Sequence, residues 1–325
     1  MHKTNEQEYF TKATTDALRG LAVILLLIGH LCMFGIAGKQ PFEYTGIIAV
    51  VIFLYLSAVG LTKTYRLAPC HSSFLYKRVR KLLMPLWLSA ALFYCLDAYL
   101  LNKTYPVLEV LLNFAGIISL QSPNPATWFV SYILFLYVVF FLCSQLSSPG
   151  WLKIMAMMAV IGAAITILGR IPVLRTKYFY GASFTIVFPL SVTATLYGER
   201  CLDWLRRFSG RQASMMFTAL LLTSILIYLA SDQLQTPQLI ILLTLLIFWI
   251  DSHGYRIKTL SWLGTISFEI YLLHMPFMLN YGFVAGQEHI WLYFAGYCLL
   301  LIPASYAFHM GCTFLTNRLL PIKST

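Results

Sequence analysis

Ala17-Leu18-Arg19-Gly20-Leu21-Ala22-Val23-Ile24-Leu25-Leu26-Leu27-Ile28-Gly29-His30-Leu31-Cys32-Met33-Phe34-Gly35-Ile36-Ala37 is an apolar run interrupted by one arginine and one histidine. A helix needs about 20 such residues to cross a hydrocarbon core of about 30 Å, so the run reads as a membrane span. Stretches of the same kind recur at 44–63, 82–101, 127–146, 152–169, 180–198, 213–231, 236–251, 261–283 and 290–316. Together they predict an all-α, polytopic integral membrane protein with about ten transmembrane helices around a polar cavity. The composition agrees: 59% of residues are hydrophobic and 11% charged, with a mean hydropathy of +0.74, whereas a soluble domain carries about a quarter charged residues. A cytosolic globular enzyme and a disordered chain are both excluded.

One further apolar stretch, about 107–120, is bounded by Pro106 and by Ser122-Pro123-Asn124-Pro125, which cannot continue a helix. Loop charges decide its place. With residues 1–15 in the cytoplasm and 107–120 not spanning, Lys63, Arg66, Lys77, Arg78, Arg80, Lys81, Lys153, Arg200, Arg206, Arg207, Arg211, Arg256, Lys258, Arg318 and Lys323 fall inside. Counting it as a span would strand Arg200–Arg211 and Arg256/Lys258 outside, against the positive-inside bias. The expectation is therefore cytoplasmic termini, a tail at 317–325, and a single membrane domain over 1–325. Arg170, Arg175 and Lys177 form the one discordant outer cluster. The net charge of +11 belongs mostly to this topology and calls for no nucleic acid. The seven cysteines form no CxxC or Cys/His cluster, so neither disulfides nor a metal site is indicated.

Ionisable groups within a span are costly and mark candidate sites. Arg19 and His30 are eleven residues apart, about 16 Å along a helix and close to three full turns, so both point to nearly the same face. An arginine at the mouth and a histidine at mid-depth suit a channel for an anionic molecule entering from inside. The alternative is a structural histidine with a snorkelling arginine. No Asp or Glu lies within a turn or two of His30 to orient it. In 261–283, Ser267, Tyr271 and His274 follow one another at helical spacing, ahead of the helix-kinking Pro276. Trp128 and Tyr132 open the 127–146 span, as interfacial anchors or as a substrate platform. Lys77-Arg78-Val79-Arg80-Lys81 precedes the 82–101 span, either as topology with lipid-phosphate contact or as a clamp for a nucleotide phosphate. No glycine-rich phosphate loop is present.

Arg19 and His30 within Asp16-x-Leu-Arg-Gly-Leu-Ala, the basic run into Leu82-Leu83-x-Pro85, Trp128-Phe129, and Ser267-x-x-Ile-Tyr271-Leu-x-His274 occur in an order that resembles the integral membrane acyltransferases of the acyltransferase-3 family. The likeness runs from about Asp16 to Leu315. It is nearest to the polysaccharide O-acetyltransferase branch, similar to fucose O-acetylase-like members. The Arg-x-x-Arg element of the family reads Arg78-x-x-Lys81 here, or Lys77-x-x-Arg80 in the other register.

The resemblance implies an acyl-CoA-dependent O-acetyltransferase of the bacterial inner membrane, with acetyl-CoA as co-substrate and no permanently bound cofactor. Donor phosphates would dock at Arg19, Arg78, Arg80 and Lys81. His30 would act as base or acyl carrier, assisted by Ser267, Tyr271 and His274. A sugar hydroxyl of a surface or lipid-linked polysaccharide would approach Trp128 and Tyr132. A multi-pass exporter of a glycan or lipid is the alternative from another class; the lack of an evident internal repeat disfavours it.

Overall fold

A computed structural model describes residues 10–33, 41–71, 73–117, 121–170, 184–205, 236–253, 257–284 and 288–320, with isolated positions between 212 and 223. Among them the regular structure is helical throughout. In chain order the elements are α1 (Lys12–Met33), α2 (Thr45–Tyr65), α3 (Ser73–Leu101), α4 (Val107–Phe114), α5 (Trp128–Ser144), α6 (Gly150–Gly169), α7 (Val187–Leu205), α8 (Thr236–His253), α9 (Lys258–Thr265), α10 (Ser267–Leu279) and α11 (Ile290–Leu319). Single 3-10 turns cover Pro41–Tyr44 and Pro125–Thr127. Six of the described helical segments are long and apolar enough to cross a membrane: α1, α2, α3, Pro125–Ser144, α6 and α11. The protein is an all-helical polytopic membrane protein.

Most expected spans are recovered within a few residues, and the departures have physical causes. Helix α3 starts at Ser73, nine residues before the expected 82, so Lys77–Lys81 lie inside the helix rather than ahead of it. Nothing in Ser73–Met84 breaks a helix, and Pro85 sits within it. Helix α7 begins at Val187 with Pro189 in its first turn, where a missing N–H costs nothing. The expected span at 213–231 falls almost wholly outside the described residues.

The segment 261–283 is not one span: it divides into α9 and α10 at Ile266, whose φ is −108° and ψ 10°. Hydroxyls flanking the break bond back onto the preceding turn, Thr265 to the Trp262 carbonyl at 2.6 Å and Ser267 to the Gly264 carbonyl at 2.9 Å. Such back-bonding competes with the regular ladder.

The stretch 107–120 contains α4, eight residues or about 12 Å long, too short to span. It dips inward nonetheless. The Trp87 indole donates to the Phe114 carbonyl at 2.6 Å, and Trp87 lies about 21 Å along α3 from Leu101. A Schellman-type close ends the dip: Gly116 N bonds the Asn113 carbonyl and Ile117 N the Leu112 carbonyl. Gly116 adopts φ +70°, the left-handed region where only glycine is unstrained.

Helix α9 lies against α1 at backbone contact. A Cβ on Gly264 would collide with the Asp16 carbonyl, and one on Gly20 with the Leu260 carbonyl. Ser261 Oγ, on the same helix, donates to the Ala13 carbonyl at 3.0 Å. Two apolar clusters fill the bundle. Leu18, Ala22 and Leu26 of α1 and Tyr271, Leu272 and Met275 of α10 belong to the first. Val23, Leu27 and Leu31 of α1 and Ile270, Leu273 and Met278 of α10 belong to the second. The seam between the clusters therefore runs along α1 and α10.

Candidate active site

His30 and His274 meet at that seam. His30 Nδ1 lies 2.8 Å from His274 Nε2, with the rings 11° from coplanar and their centroids 5.0 Å apart. His274 is fully buried, and its Nδ1 lies 2.7 Å from the Tyr271 carbonyl oxygen. A carbonyl can only accept, so His274 Nδ1 carries a proton. In the neutral ring His274 Nε2 is then an acceptor. His30 Nδ1–H donates to it, which puts the lone pair of His30 on Nε2. The chain His30–His274–carbonyl thus fixes one tautomer of His30. Among the described residues no carboxylate takes part in this chain; His274 fills the orienting position.

Pro276 shapes the helix that presents His274. Having no N–H, it leaves the Leu272 carbonyl without its helical donor, and Asn124 Nδ2 supplies one at 2.7 Å. The Tyr271 hydroxyl donates to the Ala126 carbonyl, and Asn280 Nδ2 to the Pro123 carbonyl at 2.9 Å. Three hydrogen bonds therefore fasten the 123–126 segment, and the start of α5 behind it, to the histidine-bearing helix. Tyr297 adds a fourth restraint on α10, donating to the His274 carbonyl at 2.6 Å.

The expected residues fall into distinct places. Tyr271 packs beside His274, ring centroids 5.8 Å apart, but its hydroxyl is turned to Ala126 and so latches rather than faces the histidine pair. Ser267 is buried with its hydroxyl on Gly264, at the α9–α10 break. Trp128 stacks on Phe184, interplanar angle 15° and centroids 6.4 Å apart, with Tyr132 next to it. Phe129 reaches Tyr271 edge-on at 5.6 Å.

The basic residues divide three ways. Arg19 pairs with Asp16 at 2.7 Å while keeping its side chain 37% exposed. Lys81 lies within electrostatic reach of Arg19, Arg78, Glu269 and Asp16. The Arg78 guanidinium sits over the rings of Phe74 and Tyr137, at 5.9 and 5.8 Å. Arg80 is carried round the helix to donate to Asn317 Oδ1 at 3.0 Å, apart from the others.

Sequence reading missed two buried carboxylates. Glu269 accepts from or pairs with His309 Nδ1 at 2.8 Å, and its buried Oε2 has no hydrogen-bond partner among the described residues. Asp97, fully buried, accepts from the Tyr281 hydroxyl at 2.6 Å and from the Tyr105 hydroxyl. Burial and the Asp97 carboxylate raise the Tyr105 phenol above its ordinary pKa. Glu269 was visible as an acid within a span, but its partner lies 40 residues on. Asn124 read only as part of a turn.

A family profile described as an acyltransferase domain matches residues 13–310. No curated protein and no solved structure matches the chain. The matched region holds both histidines, Arg19, the basic stretch of α3 and the latch between the 123–126 segment and α10. The chain belongs to the acyltransferase-3 family of integral membrane acyltransferases.

Proposed function

We propose that the protein moves an acetyl group from cytoplasmic acetyl-CoA to a hydroxyl of a surface or lipid-linked polysaccharide in the bacterial inner membrane, in the manner of the fucose O-acetylase-like branch. The observation that carries this reading is the directed histidine pair, with a lone pair on His30 Nε2, about 16 Å along one helix face from Arg19.

The anionic donor docks its phosphates at Arg19 and Lys81, with the charge of Arg78 adding to the field. Its thioester reaches inward along the Arg19–His30 face of α1. The sugar approaches from the opposite side, past Trp128 and Tyr132. His30 Nε2 takes the proton of the attacking hydroxyl as its oxygen bonds to the thioester carbon. The tetrahedral intermediate collapses, the C–S bond breaks, and CoA leaves as the thiol after receiving that proton. Positive charge developing on His30 is relieved through Nδ1–H toward His274, whose own Nδ1–H rests on the Tyr271 carbonyl. His274 therefore does for this base what a carboxylate does in other triads. The same nitrogen also serves as nucleophile if the acyl group rests on His30 before transfer.

The test is mass spectrometry of surface glycans from cells with and without the protein. Loss of one acetyl mass per modified repeat in its absence supports the reading. Identical glycans in the two strains contradict it.

A further inference from the structure

A cavity of about 410 Å³ lies between α3, α5 and the tip of the α4 dip. Its walls are Val79, Leu83, Leu134 and Val138, Gly116 forms its roof, and Arg78 stands at its other end. Val79, Val138 and the neighbouring Ile117 are exposed, so the cavity opens sideways, onto the surface that faces lipid. On α5 four of the five lining residues, Ser131, Leu134, Phe135 and Val138, occupy the face opposite the buried Phe129, Ile133, Leu136 and Phe140, and the fifth, Tyr137, is the ring beneath Arg78. The groove therefore points away from the histidine pair.

Several cations of this end have oxygen acceptors of their own, and Arg78, the one that lines the groove, has none among the described residues. Arg19 has Asp16, Arg80 has Asn317, and Lys153 is buried with its ammonium on the carbonyls of Leu67 and Ser144. Arg78 has ring faces instead. Its fork of N–H donors is shaped for a phosphate or carboxylate. Arg78 lies about 8 Å along α3 from Ser73, and Leu83 about 15 Å. The groove thus begins at the depth of the basic leaflet surface and rises along apolar wall to a closed end inside the hydrocarbon. A cation at the headgroup level with a blind apolar slot above it complements one molecule, an anionic phospholipid with a chain in the slot.

We propose that this groove is a binding site for an anionic phospholipid of the leaflet at the basic end, its phosphate on Arg78 and one acyl chain running between α3 and α5 to Gly116. Charge complementarity selects the occupant, since basic pockets between transmembrane helices on the cytoplasmic side hold anionic headgroups. The groove is separate from the histidine pair, and Arg78 lends the proposed donor site only its charge, not its side-chain contacts.

The test is native mass spectrometry of the full-length protein released from detergent, with phosphatidylglycerol or phosphatidylcholine added in equal amounts. The expected result is a retained phosphatidylglycerol adduct that exceeds the phosphatidylcholine adduct. Arg78→Gln should weaken it about fivefold or more, the worth of one basic group near an anionic leaflet. Leu134→Trp, which fills the slot without touching the charge, should remove it as well. Lys258→Gln, an exposed cation at the same end, should leave it unchanged, and only variants eluting as monodisperse protein are compared. Equal adducts of both lipids overturn the proposal, as does an adduct untouched by Arg78→Gln or Leu134→Trp. Displacement of the lipid by free CoA overturns it by giving Arg78 to the donor. Disulfide cross-linking of Val138→Cys between two chains overturns it by giving the groove to a second copy.

Discussion

A neutral imidazole has one donor and one acceptor, so a hydrogen-bonded pair of histidines has a direction. Here the direction is set from the far end, by the Tyr271 carbonyl, and passed through His274 to His30. Removing His274 leaves His30 in place without its orienting partner. His274→Phe keeps the ring volume at this buried position and removes both nitrogens. Transfer should fall by about 10²–10⁴, the usual worth of positioned acid–base catalysis, with little change in KM for acetyl-CoA. Because the two rings act as a unit, the double variant His30→Ala/His274→Phe should be no slower than His30→Ala alone. Additive losses in that cycle would mean that the histidines work independently. Both histidines stood out in the sequence, since an imidazole in an apolar run is conspicuous. Their hydrogen bond spans 244 positions, and no local pattern carries that information.

At the scale of elements, the break at Ile266 and the contact of α9 with α1 set how far α10 carries His274 toward His30. Gly20 and Gly264 let the two backbones touch. Gly264→Ala forces them apart or strains the side of α1 near Asp16, at a cost of about 1–3 kcal/mol, the range for overpacking. The measurement is the melting midpoint of the purified protein in detergent, expected to drop clearly below wild type. The neighbouring exposed Thr265→Ala should move it much less, because it loses only a local hydroxyl bond. Element positions were largely legible from hydropathy, because length and apolarity are local properties. The break was not, since 261–283 reads as one mainly apolar stretch, and the hydroxyl bonds of Thr265 and Ser267 and the contact with α1 that interrupt it are made only in the packed fold. The role of Asn124 was hidden for a related reason: Pro276 signals a carbonyl without a donor, but not which side chain will supply one.

For the whole molecule, the helices gather most of the described basic residues toward one end of the bundle, with Lys103 and Arg170 at the other. At the basic end Lys63 donates to the Phe10 carbonyl, and Lys153 joins the carbonyls of Leu67 and Ser144, whose hydroxyl accepts from Cys70 N, while the Asp97–Tyr105–Tyr281 cluster lies toward the far end of α3. The positive-inside bias predicts that the basic end faces the cytoplasm. In a cysteine-free background, Lys258→Cys should therefore react with a membrane-impermeant maleimide only after permeabilisation, and Lys103→Cys should react in intact cells. The reverse pattern would invert the topology and with it the direction from which a CoA donor enters.

The proposed role of His30 is catalysis of acyl transfer from a CoA thioester to a sugar hydroxyl. Its most direct test is the transfer of radiolabelled acetyl from acetyl-CoA to glycan by membrane vesicles holding equal amounts of wild-type or His30→Ala protein. Label should accumulate in glycan with the wild type and fall to the level of vesicles lacking the protein with His30→Ala. Transfer retained at the wild-type rate by the variant would remove His30 from the chemistry.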